Sequence, residues 1–134
     1  MTAVGGDVGV SRIGQIAFTV SDLPRAVAFY RDVLGLPFLF EAPPSMAFFD
    51  CGGTRLMLAP PERDGAVAGQ QFNSVLYFTV AAIQDAARAL GERGVRFEQP
   101  PHLVARLAAI DLWMAFFRDP DGHMLALMSE VPRA

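Results

Sequence analysis

A chain of 134 residues, 52% apolar and 19% charged, can bury a sizeable core as one compact domain or as two small halves sharing a core, and this composition excludes global disorder. A net charge of -3 without a basic stripe argues against nucleic acid, and no apolar run of about eighteen residues is present to span a bilayer, so neither nucleic acid nor a membrane is an expected partner. All 11 cations are arginine, which removes lysine amine chemistry, and the single Cys51 forbids an intrachain disulfide and fits a reducing compartment.

Residues 1–11 are small and glycine-rich and are expected to be loose. They lack the basic and apolar regions of a secretion signal, so the cytoplasm is the expected location. From Ile13 to Val20 the residues alternate, with Ile16, Phe18 and Val20 on one face and Gln15, Ala17 and Thr19 on the other. Period-two alternation marks a strand between two unlike environments. Ser21 and Asp22 can cap a helix, Pro24 suits its first turn, and Leu23, Val27, Tyr30 and Leu34 recur at helical spacing before Gly35 stops it. Strands follow over Phe38–Ala42, Met46–Cys51 and Thr54–Ala59, separated by Pro43-Pro44-Ser45 and by Gly52-Gly53. The first half therefore reads β-α-β-β-β.

Residues 60–71, rich in proline, glycine and charge, read as a linker. The order then repeats. A strand is expected over Asn73–Val80, and a helix whose apolar face is Ile83, Ala86, Ala87 and Leu90 ends near Gly91 or Gly94. A short strand spans Val95–Gln99, an irregular segment Pro100–Ile110, and strands Leu112–Arg118 and His123–Ser129 flank the turn Pro120-Asp121-Gly122. The fold class is α+β: tandem βαβββ modules over 12–60 and 72–130 within one domain (12–130), forming a curved, barrel-like mixed sheet with helices on its outer face. Leu56, Leu58, Leu76, Phe78, Leu125 and Leu127 belong to the helix-packed face. The opposite face carries Gln15, Arg55, Met57, Val75, Tyr77, Met124 and Ala126, too polar for core and too apolar for open surface, which suits a concave, partly wet ligand cavity, the alternative being a solvated sheet face or a dimer contact.

The segments Val20-Ser-Asp-Leu-Pro-Arg-Ala-Val-Ala-Phe-Tyr-Arg-Asp-Val-Leu-Gly-Leu36 and Phe117-Arg-Asp-Pro-Asp-Gly-His123, in this tandem order, resemble the vicinal oxygen chelate superfamily. It includes glyoxalase I, bleomycin resistance proteins and extradiol dioxygenases. The resemblance covers residues 12–130 and implies the tandem-module fold and a homodimer. In metal-dependent members a histidine on the first strand of each module and a glutamate on its last strand hold a divalent ion. Carried over position by position, those places hold Gln15, Met57, Val75 and Ala126, of which only Gln15 offers a suitable ligand atom. The chain thus resembles a member that has lost its chelate, and no metal or other cofactor is expected.

A few residues remain as candidates for chemistry. His102, in the irregular segment, can act as an acid or base over a cavity mouth, and Glu41 and Arg106 are its weaker companions. Arg55 can hold a carboxylate, while Tyr77 and Trp113 can stack on an aromatic ligand. Asp119, Asp121 and His123 read as turn residues. The expected ligand-binding set is Gln15, Arg55, Met57, Val75, Tyr77, Ala126 and Trp113. Three functions compete: a metal-free binder of a small, largely apolar or aromatic molecule, an enzyme (isomerase, lyase or dioxygenase) with a rebuilt site, and a dimerisation module without a ligand.

Overall fold

The computed structural model describes residues 8–9, 11–61 and 74–133. Most of the expected 60–71 linker, the expected strand start at Asn73 and most of the N-terminal segment lie outside the described residues. Strand β1 (Gln15–Thr19) leads to helix α1 (Leu23–Ala28), which continues as a π-helical turn over Phe29–Val33. Asp22 caps α1 by accepting from the Arg25 N–H at 3.1 Å, and Pro24 sits in the first turn as anticipated. Gly35, at φ 77, ends the helical run in a conformation that glycine adopts without strain. Strands β2 (Phe38–Ala42), β3 (Met46–Cys51) and β4 (Thr54–Ala59) complete the first unit. The second runs β5 (Leu76–Thr79), α2 (Ile83–Glu92), β6 (Phe97–Arg106), β7 (Ile110–Arg118) and β8 (Met124–Pro132).

Each unit forms one four-stranded mixed sheet, in the orders β1-β4-β3-β2 and β5-β8-β7-β6, and the sheets do not close into a barrel. The first strand of each unit pairs in parallel with the last, and the other pairs are antiparallel. The expected helix-packed residues are indeed the core: Phe18, Val20, Leu56, Leu58, Leu125 and Leu127 are buried in one cluster with Ala26, Val27 and Tyr30 of the first helical run and Ile83, Ala87 and Leu90 of α2. Because that cluster spans both units, burial of apolar area is what holds the two sheets together.

Two expectations change. Within the expected short strand and irregular segment of residues 95–110, Phe97–Arg106 forms one ten-residue strand, β6. Its register slips three times against β7, between Phe97 and Gln99, Gln99 and His102, and Leu103 and Ala105. Pro100 and Pro101 lack ladder donors and are tolerated because β6 is an edge strand that bulges around them. The last strand also extends past Ser129 to Pro132, matched by the early start of β7 at Ile110.

Candidate functional site

Strand alternation sends one set of side chains away from the helices, onto the open face of each sheet. On the first sheet Gln15 and Arg55 are direct partners in the β1–β4 register, with Ala17 opposite Met57. The Gln15 amide is engaged at both ends: Oε1 accepts from Arg55 Nε at 2.9 Å and Nε2 approaches Met57 Sδ at 3.9 Å. The Arg55 guanidinium lies 5.2 Å from the centroid of Phe48, whose ring stacks on Phe40 at 4.7 Å. Gln15, Arg55 and Met57 thus form one cluster with an aromatic floor, and the signal for that floor was the parity of Phe48 with Met57.

On the second sheet Tyr77 pairs with Ala126 and Phe116 pairs with Ala126 from the other side. Tyr77 meets Phe116 edge-on at 6.0 Å, and between them Ala126 is completely buried while Tyr77 stays 46% exposed. Val75 immediately precedes β5 and is half-buried. His102 belongs to this face: it pairs with Met114, and its ring centroid is 6.3 Å from that of Phe116. It lies in a strand rather than in a loop over a cavity mouth. His102 Nδ1 is 2.8 Å from the Pro100 carbonyl oxygen. A carbonyl only accepts, so in the neutral ring Nδ1 carries the proton and Nε2 carries the lone pair.

The other candidates are not brought together. Glu41 pairs with the fully buried Ala47, so its parity is that of the helix-packed side, and it sits on the other sheet from His102. Arg106 ends β6 opposite Asp111, on the opposite parity to Met114. Trp113 packs against the core cluster with the parity of Ala115 and Phe117, so it is a wall of the interior and not part of the open face. The expected ligand-binding residues therefore fall into two half-sets, one per sheet, with Trp113 in neither. Among the described residues, no group of three or more His, Cys, Asp and Glu side chains is placed to hold a metal ion.

The residues read as turn formers have a larger role. Asp119, in the turn between β7 and β8, is 5% exposed and His123 is 1% exposed. Asp119 Oδ2 accepts from the Tyr30 hydroxyl at 2.7 Å and meets His123 Nδ1 at 2.6 Å, while Oδ1 accepts the backbone N–H groups of His123 and Asp121. Burial alone would raise the Asp119 carboxyl, but the hydrogen bonds from the His123 ring and the Tyr30 hydroxyl outweigh it and hold the group below the usual carboxylate range. Burial, reinforced by the Asp119 charge, pushes the Tyr30 phenol well above its ordinary value. His123 also stacks on Phe18 of β1 with centroids 4.2 Å apart. Asp121 Oδ1 accepts from both the backbone N–H and the hydroxyl of Ser21. The turn is a polar clasp that ties the second unit to α1 and β1 of the first. Its sequence signal was an acidic and imidazole pair following the apolar Ala115-Phe116-Phe117, beside a helical tyrosine.

The chain as a whole is similar to known proteins. Residues 12–127 fit the model of the Glyoxalase/Bleomycin resistance protein/Dioxygenase superfamily. The chain belongs to that superfamily. Among its superfamily relatives, YraH of Bacillus subtilis is 32% identical over 123 residues, covering 84% of this chain and 94% of YraH. The metallothiol transferase FosB of Staphylococcus haemolyticus is 28% identical over 120 residues, covering 88% of this chain and 83% of FosB. A crystal structure of a superfamily member from Sphaerobacter thermophilus superposes with a TM-score of 0.74 at 25% identity, over 90% of this chain and 98% of that one. The lactoylglutathione lyase of Agrobacterium tumefaciens shares the fold at TM-score 0.71 and 23% identity, over 90% of this chain and 95% of that one.

Proposed function

We propose that this superfamily member binds a small, largely apolar or aromatic molecule on the open faces of its sheets without a metal, and that two copies pair as a homodimer. The observation that carries the proposal is the content of the four positions where metal-dependent relatives place their ligands. Gln15 is committed to Arg55 and Met57, and Ala126 is sealed between Tyr77 and Phe116. Met57 and Val75 complete the set with a thioether and an alkyl group, neither of which suits a hard cation. What remains is an apolar and aromatic lining with one guanidinium, a composition typical of small-molecule sites. Pairing is supported by the exposed apolar residues of the two outer strands, Phe38, Leu39 and Phe40 on β2 and Leu103 and Val104 on β6.

The test is metal content of untagged protein, followed by thermal shift with added divalent ions and then with a panel of small aromatic compounds. We expect substoichiometric metal, no shift with metals, and a concentration-dependent rise in melting temperature with a compound that Ala17→Trp removes. A tightly held ion at one per chain would overturn the metal-free reading, and a monomer by light scattering at micromolar concentration would overturn the pairing. A second reading, acid–base catalysis, is favoured by one observation: His102 lies on the open face with its lone pair at Nε2. It predicts turnover that His102→Gln abolishes while ligand-induced thermal shift persists.

A further inference from the structure

A cavity of about 520 Å³ lies at the seam between the units, bounded by β1, the β3–β4 turn and β5. We propose that this seam is a second small-molecule site, sharing Arg55 and Tyr77 with the edges of the open faces but reaching past them between the units, and that its ligand is a small aromatic monoanion. The volume is that of an ordinary small-ligand pocket. Its walls include Ile16, Leu36, Leu76 and Phe78, each partly buried and packed against the common core, so the wall is as fixed as the core itself. Phe78 and the half-exposed Tyr77 provide aromatic surface for a ring.

Charge selects the ligand further. Arg55 lines the cavity, oriented through Nε by Gln15, and its two terminal nitrogens have no hydrogen-bond or ion-pair partner among the described residues. An oriented guanidinium with unengaged N–H groups favours a carboxylate or sulfonate. Asp50 also lines the cavity and pairs with Arg55 in the β3–β4 register, yet no ion pair closes between them, and Asp50 Oδ1 accepts from the Gly53 N–H at 2.9 Å. Its carboxylate repels a second negative charge, which disfavours dianions. Cys51, the single cysteine, lines the same space. Burial and the Asp50 charge raise its thiol, so it serves as a reporter of occupancy and not as a nucleophile. Of the open-face residues, Arg55 and Tyr77 reach the seam, whereas Ala17, Met57 and Phe116 do not line it.

The experiment titrates the intact chain with anilinonaphthalene sulfonate, an aromatic monoanion, while following its fluorescence and the rate of Cys51 alkylation by a maleimide. We expect saturable binding and roughly tenfold slower alkylation at saturation, about tenfold weaker binding in Arg55→Gln, and loss of both signals in Ile13→Trp. Ile13 lines the cavity and is 62% exposed, so the added ring fills the pocket without disturbing the core. Far-ultraviolet circular dichroism matching the parent establishes that these variants fold. Binding that leaves Cys51 alkylation unchanged, or that persists in Ile13→Trp, overturns the seam site. Ala17→Trp separates the two sites: loss of probe binding there, with Ile13→Trp behaving as the parent, refutes the seam and leaves the open-face reading standing. A dimer that Ile13→Trp dissociates would show that a second copy fills the seam and would also overturn the proposal.

Discussion

Replacing Tyr30 with phenylalanine removes one oxygen from a site without access to solvent. The Tyr30 side chain is 0% exposed, and its hydroxyl donates to the buried Asp119 carboxylate at 2.7 Å. The ring keeps its packing against Phe29 and Phe49, so the loss is a charge-assisted hydrogen bond and not a cavity. Such a bond contributes about 1.5–3 kcal/mol net. The carboxylate retains the His123 ring and two backbone N–H donors, which places the expected loss near about 2 kcal/mol. With a urea m-value of roughly 2 kcal/mol/M, the midpoint falls by about 1 M at neutral pH with m unchanged. Trp113, packed against the core, supplies the fluorescence signal.

Acid pH supplies a second readout of the same bond. Asp119 titrates below its ordinary value of 3.8 in the folded chain, so its contribution is fully present above that value and is lost as pH falls through the lower, folded one. Deleting the Tyr30 donor raises the folded value, so in Tyr30→Phe the contribution is smaller and its loss, which starts at the same pH, is complete at a higher pH than in the parent. Once the carboxyl is protonated in both proteins, the difference between their midpoints narrows. A midpoint shift below about 0.2 M at neutral pH, or a difference that does not shrink on acidification, would refute the assignment of Asp119 as a charged acceptor.

Three further outcomes follow from the same clasp. Asp119→Asn turns one side of an acceptor surrounded by donors into a donor and removes the charge facing His123, so a loss of about 3–5 kcal/mol by urea unfolding is expected. Gly122→Ala meets no atom within 4 Å of the new Cβ, so its cost comes only from forcing alanine to φ 92, about 1–3 kcal/mol, read as a lower melting temperature. Arg25→Ala breaks an ion pair with Asp121 at 3.5 Å whose arginine is 49% exposed, and a change below about 1 kcal/mol, diminishing with added salt, is expected.

What the sequence made legible, and what it did not, follows from the range of each interaction. Strand alternation is local, so Ile16, Phe18 and Val20 against Gln15, Ala17 and Thr19 separated the core from the open face without knowledge of any partner strand. The capped helix and Gly35 were equally local. Parity fails where register slips. Pro100-Pro101 looked like the end of a strand, because a proline at its centre removes ladder donors; on an edge strand the bulges absorb that loss and carry His102 onto the open face. The side of Trp113 was hidden for a related reason: a lone aromatic suits either face, and its pairing with Leu103 and Ser129 places it against the core.

The clasp was hidden most deeply because its partners are far apart in the chain. Tyr30 and Asp119 are 89 residues apart, and nothing in a turn of the form Asp119-Pro-Asp-Gly-His123 reveals that its carboxylates face inward. Yet this contact bears on how the two open faces are placed. The two half-sets, Gln15–Arg55–Met57 and Val75–Tyr77–Ala126, lie on separate sheets that no strand pairing joins among the described residues. Their relative placement therefore depends on the shared apolar core and on the contacts of Asp119 with Tyr30 of the π-helical turn and of His123 with Phe18 of β1. A small molecule touching both half-sets would sense the clasp through that geometry. Weakening it in Tyr30→Phe would then lower ligand affinity as well as stability, whereas a ligand confined to one sheet would respond only to loss of folded protein. Measuring both at a temperature where the variant is fully folded separates these cases.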